Sequence, residues 1–585
     1  MSESLPLLSD AVRALDAPGL STLFTAFREK PRADALLVIC DQLFPRLEAS
    51  MWQHERLDRE ALASYQAIVR EVDAWLCARP DDPRHLFQVV IPVADRPRHL
   101  RSCLESLETL CRLFPWGRVA VLVADDSGQP ENIQAHQEII AEFRARGLDA
   151  RYYGQEQQLA RLEELNAGSR EALKGLLGDQ DAARFWHKGA SHMRNISYLE
   201  LMHPSSGKGE PLFWFVDSDQ EFRAGKDYAL NYFFHLDRLF TRQAVTLFTG
   251  KVVGDPPVSP AVMASNFLDD VLAFMNALSE RDAGEACHFH DQTERRADDA
   301  AYHDMAELFG FQGKHQPFAY RCPLQGYHDH RRCLEEYAAR LNGFFDGEHL
   351  TRQTAYAFKP LEETLAPART VYTGNYVFNR AGLEYFIPFA ALRLRMAGPV
   401  LGRIVAAEQG AGFVSSNLPM LHKRTVTEAG RAEFRPGIEH QEDYSDISGE
   451  FERQYYGDVM LFSMIRLTEL GYPATPPAPE AIGRILEEVE AEMAERYARK
   501  RQDILAKTAA LRELLDDGGQ WWRDCPEVLQ PMHRFLGSME HSFGDEAAGV
   551  RQMNSPGHRE ARLADMARAL AGYPRERALW RQLLA

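Results

Sequence analysis

Positive charge, cysteine and long apolar runs are all scarce in this chain of 585 residues. Lysine and arginine number 67 against 85 aspartates and glutamates, a net charge of −18. A chain this acidic gains nothing from releasing phosphate counterions, which argues against a nucleic-acid partner and leaves room only for a local basic pocket. The 8 cysteines, at positions 40, 77, 103, 111, 287, 322, 333 and 525, are scattered and form no small-domain framework, which fits a reducing compartment. The opening MSESLPLLSDAV lacks a basic stretch followed by an apolar one, so no signal peptide is expected. No apolar run approaches the roughly 20 residues of a membrane span. Internal repeats and low-complexity tracts are missing as well. The expectation is a soluble cytoplasmic protein. Hydrophobic residues at 45% and charged residues at 26% are those of an ordinary globular chain, long enough for several domains or subdomains.

Residues 1–84 read as a helical region. Leu8, Val12 and Leu15, then Leu20, Phe24 and Phe27, then Leu62, Ile68, Val69 and Val72 recur at helical spacing. The region ends on a proline-bounded linker, carries no chemistry, and reads as a packing or oligomerisation module. From His85 the pattern changes. Residues 86–93 (LFQVVIPV) are a continuous apolar run typical of a central parallel strand. A helix over residues 100–113, a strand over 119–124, a helix over 133–146 and a short strand at Tyr152 and Tyr153 follow. This alternation predicts a doubly wound α/β sheet, whose ligands sit at the carboxyl ends of its strands. Beyond residue 425 the chain reads as helical again. A long amphipathic helix over residues 481–515 suits core packing, or pairing in a homo-oligomer through the helical ends.

Carboxylates fall where the ligands of such a sheet would be. The first strand runs into Asp95 and Arg96, the second ends on Asp125 and Asp126, and the apolar stretch Phe213 to Val216 stops on Asp217 and Asp219. Adjacent acids repel, so acidic strand ends serve stability poorly; a bound cation and a polar ligand would relieve them. On an extended chain the carboxylates of Asp217 and Asp219 lie on one side and can grip one Mn²⁺ or Mg²⁺ shared with substrate phosphates. A turn that merely caps the strand uses the same residue types. Lys188-Gly189-Ala190-Ser191-His192-Met193-Arg194-Asn195 suits a loop entering a helix. A helix start with an arginine is a natural diphosphate site, and a capped surface helix is the alternative.

In this order, IPVADRP, VLVADDSG, GASHMRN and FWFVDSD resemble the motifs of the inverting family-2 glycosyltransferases of the GT-A fold, over residues 86–222. The resemblance implies a metal-dependent, hexosyltransferase-type enzyme that moves a sugar from a nucleotide-diphosphate donor to an acceptor hydroxyl. It implies nucleotide contacts at Pro92, Asp95, Arg96, Asp125 and Asp126, and donor contacts at Arg194 and Asn195, with positive charge added by Lys188. It puts Asp217 and Asp219 on the metal and the ribose–phosphate. The stretch Thr373 to Arg380 (TGNYVFNR) is similar to the family's strand beneath the sugar. His422, at a strand end, fits the late metal ligand of many such enzymes, with Lys423 and Arg424 towards the diphosphate; an ordinary strand-end histidine is the alternative. The family's Glu-Asp pair, whose Asp deprotonates the acceptor, has no counterpart in residues 386–399 (FIPFAALRLRMAGP). A general base is typically worth about 10²–10⁴ in rate. Glu384 and Glu408 are the nearest acids, which makes Glu408 the candidate base. The alternatives are a base from the insert described below, a retaining reaction, or a non-catalytic nucleotide-sugar-binding or scaffold protein with a degenerate site. A nucleotidyltransferase is disfavoured, because the loop after the first strand, Ala94-Asp95-Arg96-Pro97, has no glycine.

The GT-A domain would then span residues 85–425 with an insert at about 255–365, between helical regions at 1–84 and 426–585. The insert carries Cys287, His288, His290, Asp291 and His303, then Cys322, His328, His330 and Cys333. The last four are zinc-type ligands, but the spacing C-x5-H-x-H-x2-C matches no named zinc module, and polar loop and helix residues are the plainer reading. Its position makes the insert a candidate acceptor-binding or lid element.

Overall fold

A computed structural model describes residues 5–15, 17–53, 56–181, 184–203, 210–291, 296–297, 317–424 and 437–584. His303 lies outside the described residues. Nine strands build one mixed sheet: β1 (Leu86–Val93), β2 (Val119–Asp125), β3 (Asp149–Tyr153), β4 (Pro211–Val216), β5 (Gln220–Glu221), β6 (Leu247–Gly254), β7 (Ala366–Pro367), β8 (Asn375–Phe378) and β9 (Phe413–His422). Their spatial order is β3-β2-β1-β4-β8-β6-β9-β7, with β5 paired to the end of β9. β1 is parallel to β2 and β4, β2 to β3, and β6 to β9, while β8 runs antiparallel between β4 and β6. The carboxyl ends of β1, β2, β4, β6 and β9 therefore open on one edge.

Side chains alternate across a strand, and both faces of this sheet are buried, which is why the inner strands read as unbroken apolar runs. Every residue of β4 is buried. Val89 and Ile91 enter one core and Val90 the other. The first core is closed by the amino-terminal helices Pro6–Ala14, Pro18–Glu29, Ala33–Met51 and Arg59–Cys77, together with Pro97–Leu113, Pro130–Ala145 and Tyr232–Arg242. The second is closed by Ala190–Leu201, Pro260–Ser279 and Ala397–Gln409, and by the carboxyl-terminal helices Ser448–Glu469, Pro479–Asp516, Pro526–Phe543 and Pro556–Leu584. The fold is α/β, a doubly wound sheet flanked by helical regions. The apolar stripes of the helical ends are spent on its two faces.

The long helix Pro479–Asp516 packs within the chain, on Pro260–Ser279, Ser448–Glu469, Pro526–Phe543 and Pro556–Leu584. Against the expectation from sequence, one helix among the described residues is long and apolar enough to cross a membrane, Pro260–Ser279; 72% of its most apolar stretch is buried inside the molecule.

Candidate active site

A cavity of about 810 Å³ opens at the carboxyl edge of β1, β2 and β4. Pro92, Arg96, Asp126, Lys188, Arg194, Asp217 and Asp219 line it; Asp95, Asp125, Asn195, Glu408, His422 and Lys423 do not.

The acidic strand ends divide into two kinds. Asp95, in the left-handed region at φ 53°, accepts hydrogen bonds from the N–H groups of Gly128 and Gln129 and from Asn132 Nδ2, all at 3.1 Å, and pairs with His187 Nε2 at 2.5 Å. Burial opposes its charge, but the bonds from Gly128 and His187 hold its pKa below the usual carboxylate value. Asp125 accepts from Ser127 N–H (2.9 Å) and Oγ–H (2.5 Å), from Tyr152 Oη (3.0 Å) and from His136 Nδ1 (3.0 Å). Both carboxylates are filled from within and brace the loop after β2. Neither of these two expected nucleotide contacts lines the cavity. Asp126 does face the cavity. It accepts from Lys188 Nζ at 2.5 Å and from the N–H groups of Lys188 (3.2 Å) and Gly189 (3.1 Å), and so fixes the entry to helix Ala190–Leu201. Gly189 at φ 100° makes the bend that a side chain would resist.

Arg194 donates to Ala190 O (3.1 Å), Thr373 O (3.3 Å) and the Asp217 carboxylate. Asn195 is fully buried. Its Oδ1 accepts from Ile387 N–H at 2.8 Å, and its Nδ2 donates to Ile387 O at 2.9 Å and Leu176 O at 3.1 Å. Asn195, an expected donor contact, fastens the chain near Ile387 and lies off the cavity.

The Asp-Ser-Asp segment is not extended. Gln220 N–H donates to Asp217 O at 3.0 Å, so residues 217–220 turn and the two carboxylates splay. This corrects the expected same-side pair. Asp217 faces Arg194. Asp219 runs under β9, where its Oδ2 lies 3.4 Å from Arg96, 3.5 Å from His422 Nε2 and 3.9 Å from Arg424 Nε. Burial disfavours the Asp219 charge, yet His422, Arg96 and Arg424 hold its pKa well below the ordinary value. Its buried Oδ1 has no hydrogen-bond partner among the described residues.

His422 Nδ1 sits 2.7 Å from Asp255 O, which can only accept. Nδ1 thus carries a proton, and in the neutral ring Nε2 keeps a lone pair toward Asp219, the arrangement of a metal-ligating histidine. Arg424 Nε donates to that lone pair at 3.2 Å, and Asp255 Oδ2 accepts the Arg424 N–H at 2.8 Å. The orphaned Asp219 Oδ1 and the fixed His422 tautomer fit a divalent cation such as Mn²⁺ or Mg²⁺. Lys423 Nζ pairs with Glu221 at 3.2 Å, outside the cavity.

Glu408, the candidate base from sequence, does not line the cavity. It pairs with Arg577 of helix Pro556–Leu584 at 2.5 Å, away from the cavity, because its helix presents that face to the carboxyl-terminal helices. Where the family's acid pair was sought, the segment carries positive φ at Phe389, Arg393 and Met396 and brings Arg393 and Arg395 to the cavity. Facing them are Glu450, Glu452 and Arg453 from the start of helix Ser448–Glu469, and Arg562. Arg453 pairs with Glu450 at 2.9 Å and Arg562 with Glu452 at 2.8 Å. This wall was missed from sequence; its signals were the RLR at 393–395 and the EFER at 450–453. The start of the insert, Pro257 to Pro260, also lines the cavity.

No family model and no curated protein matches the chain. Solved structures align with it at low similarity. A mannosyltransferase from Pyrobaculum calidifontis, in complex with GDP-mannose and Mn²⁺, is 11% identical over 86% of this chain and 98% of that one, with a TM-score of 0.32. Glucosyl-3-phosphoglycerate synthase from Mycobacterium tuberculosis, with Mn²⁺, UDP and glucosyl-3-phosphoglycerate, is 13% identical over 63% of this chain and 86% of that one, with a TM-score of 0.25. S. aureus TarS is 11% identical over 78% and 90%, with a TM-score of 0.21. What each of these binds is a property of that protein.

Proposed function

We propose that the chain is a metal-dependent glycosyltransferase that moves a sugar from a nucleotide-diphosphate donor to an acceptor hydroxyl. The observation that carries this reading is the Asp219–His422 pair, 3.5 Å apart at the edge of a cavity of about 810 Å³. Cavities of roughly 300–1,000 Å³ are usual for small-molecule sites. Asp219 and His422 would hold the cation, Mn²⁺ or Mg²⁺. When bound, it supplies Lewis-acid neutralisation of the leaving diphosphate. Arg194 and Arg96 add fixed positive charge beside that diphosphate, and Asp126 and Lys188 hold the start of the helix against it. Pro92 and Arg96 flank the nucleotide.

The acceptor takes the opposite wall. There Arg393, Arg395, Arg453 and Arg562 outnumber Glu450 and Glu452, which leaves the wall positive and favours an acceptor carrying phosphate or carboxylate. In an inverting transfer the acceptor proton goes to a carboxylate of this wall, Glu450 or Glu452.

The test is turnover of UDP-, GDP-, ADP- and dTDP-sugars with anionic and neutral acceptors, in Mn²⁺ or in EDTA. Nucleotide diphosphate should be released in Mn²⁺ only, and faster with an anionic acceptor. Tight nucleotide-sugar binding with no release of sugar or nucleotide would favour the non-catalytic reading.

A further inference from the structure

The insert brings together cysteines that lie far apart in sequence. The sulfur atoms of Cys287, Cys322 and Cys333 all lie within 4.8 Å of one another, and all three residues are buried. Thiolates around a tetrahedral zinc, each about 2.3 Å from the metal, stand roughly 3.8 Å apart. His328 Nε2 lies 3.3 Å from Cys322 Sγ. Its Nδ1 is 2.9 Å from Gly326 O, an acceptor only, so the proton sits on Nδ1 and the Nε2 lone pair points at the sulfur. A metal-bound histidine is oriented by such a bond.

The backbone is drawn tight around the cluster. Cys287 N–H donates to His328 O at 2.9 Å and Cys322 N–H to Phe289 O at 3.2 Å, and Ala286 bridges Asp329. His330, which belongs to the set read from sequence, does not take part. Its Nδ1 lies 3.1 Å from Asp282 O and its Nε2 3.0 Å from His288. Cys287 stands in its place.

We propose that Cys287, Cys322, Cys333 and His328 bind a structural zinc ion. Binding displaces the protons of the three thiols, while His328 binds as the neutral imidazole. Soft sulfur ligands select zinc over Mn²⁺ or Mg²⁺, so this site does not compete for the cation of the cavity. The ion would tie the loop after helix Pro260–Ser279 to helix His330–Leu341, which packs on Pro526–Phe543. Since Pro260 itself lines the cavity, the zinc would hold one wall of the active site to the carboxyl-terminal helices.

The test is elemental analysis of the full chain purified without chelator, followed by exchange with Co²⁺. The expected result is about one zinc per chain and a cobalt form with thiolate charge-transfer absorption and the strong visible bands of a tetrahedral site. The double variant Cys322→Ser/Cys333→Ser should lose the metal, and Cys77→Ser, at an exposed thiol elsewhere, should keep it. If the double variant fails to fold, alkylation of the wild type decides: Cys287, Cys322 and Cys333 should be protected until a chelator is added. A wild type with no zinc and no cobalt–thiolate absorption overturns the proposal, whether those thiols react freely or are joined as a disulfide. Metal loss on His290→Ala with retention on His328→Ala would overturn the assignment of the fourth ligand, since His290 and His328 form a second close set with Cys287.

Discussion

Replacing Asp219 by Asn keeps the shape of the side chain and removes the charge on which the cation site rests. Asp219 lies 3.4 Å from Arg96 and 3.9 Å from Arg424. At an effective dielectric constant of about 20 these contacts carry roughly 5 and 4 kcal/mol of attraction before desolvation. Desolvation offsets most of that, but stranding the partners of a buried carboxylate costs about 3–5 kcal/mol. Asp219→Asn should therefore lower the urea unfolding free energy at neutral pH by about 3 kcal/mol. The folded pKa of Asp219 is depressed, so its contribution is complete above the unfolded value near pH 4 and lost only as pH falls through the folded value. The deficit should persist, undiminished, down to about pH 5.

The same variant lacks a metal ligand. Outer-shell partners alone are worth 10–100-fold in metal affinity, so loss of a direct ligand should weaken Mn²⁺-supported nucleotide binding by at least about 100-fold. Isothermal titration with the nucleotide diphosphate in Mn²⁺ and in EDTA reads this out. Arg424→Ala is the companion variant. Arg424 Nε sits 3.2 Å from the His422 lone pair, so its removal should free that ligand and strengthen Mn²⁺ binding. Asp219→Asn with an intact Mn²⁺ dependence would refute the reasoning. So would Arg424→Ala losing nucleotide affinity while EDTA leaves the wild type unchanged, because the guanidinium would then be standing in for the metal.

Glu408→Gln should leave kcat within about twofold of wild type, since Glu408 faces Arg577; a loss of about 10²–10⁴ in the transfer assay would restore it as the base. Asn195→Ala strands the N–H and carbonyl of Ile387, at about 1–3 kcal/mol each, and should cost about 2 kcal/mol or more by urea unfolding. A loss under about 0.5 kcal/mol would contradict that role. Asp458 is fully buried, and burial raises its pKa to about 6 despite bonds from Tyr497 and Gln454. A raised carboxyl pKa means the folded state holds the extra proton, so stability falls as pH rises from about 4 to about 6. Asp458→Asn should gain about 3 kcal/mol at pH 7 and nothing at pH 4, checked by unfolding at both; an equal effect at the two values would contradict the assigned shift.

Much of the sheet was legible because its signals are local. An apolar run with both faces buried, as in β1 and β4, needs no distant partner to be recognised, and Gly189 marks the entry of helix Ala190–Leu201 by its backbone freedom alone. The order of the strand ends likewise put Asp126, Lys188, Arg194, Asp217 and Asp219 around one cavity. What the sequence does not reveal are the partners that remote segments supply. Asp125 and Asp126 are adjacent in sequence, yet Tyr152 and His136 fill the first, while the second lines the cavity. Glu408 is claimed by Arg577, and Asn195 by Ile387, from far along the chain. The turn at Gln220 separated Asp217 from Asp219 through one backbone bond that the Asp-x-Asp spacing does not reveal. Cys287 could not be joined to Cys322 and Cys333 by spacing, because only the closed loop brings the three together.

The most direct test of the central claim is thermal unfolding of the wild-type chain with UDP-, GDP-, ADP- and dTDP-sugars, each in Mn²⁺ and in EDTA. A ligand at 100 times its Kd adds about 2.7 kcal/mol to the folded state. For 585 residues unfolding as one unit that is a rise of about 2 °C in Tm. The account predicts such a rise with one nucleotide class in Mn²⁺ and none in EDTA. No rise with any donor, or the same rise in EDTA, would contradict it.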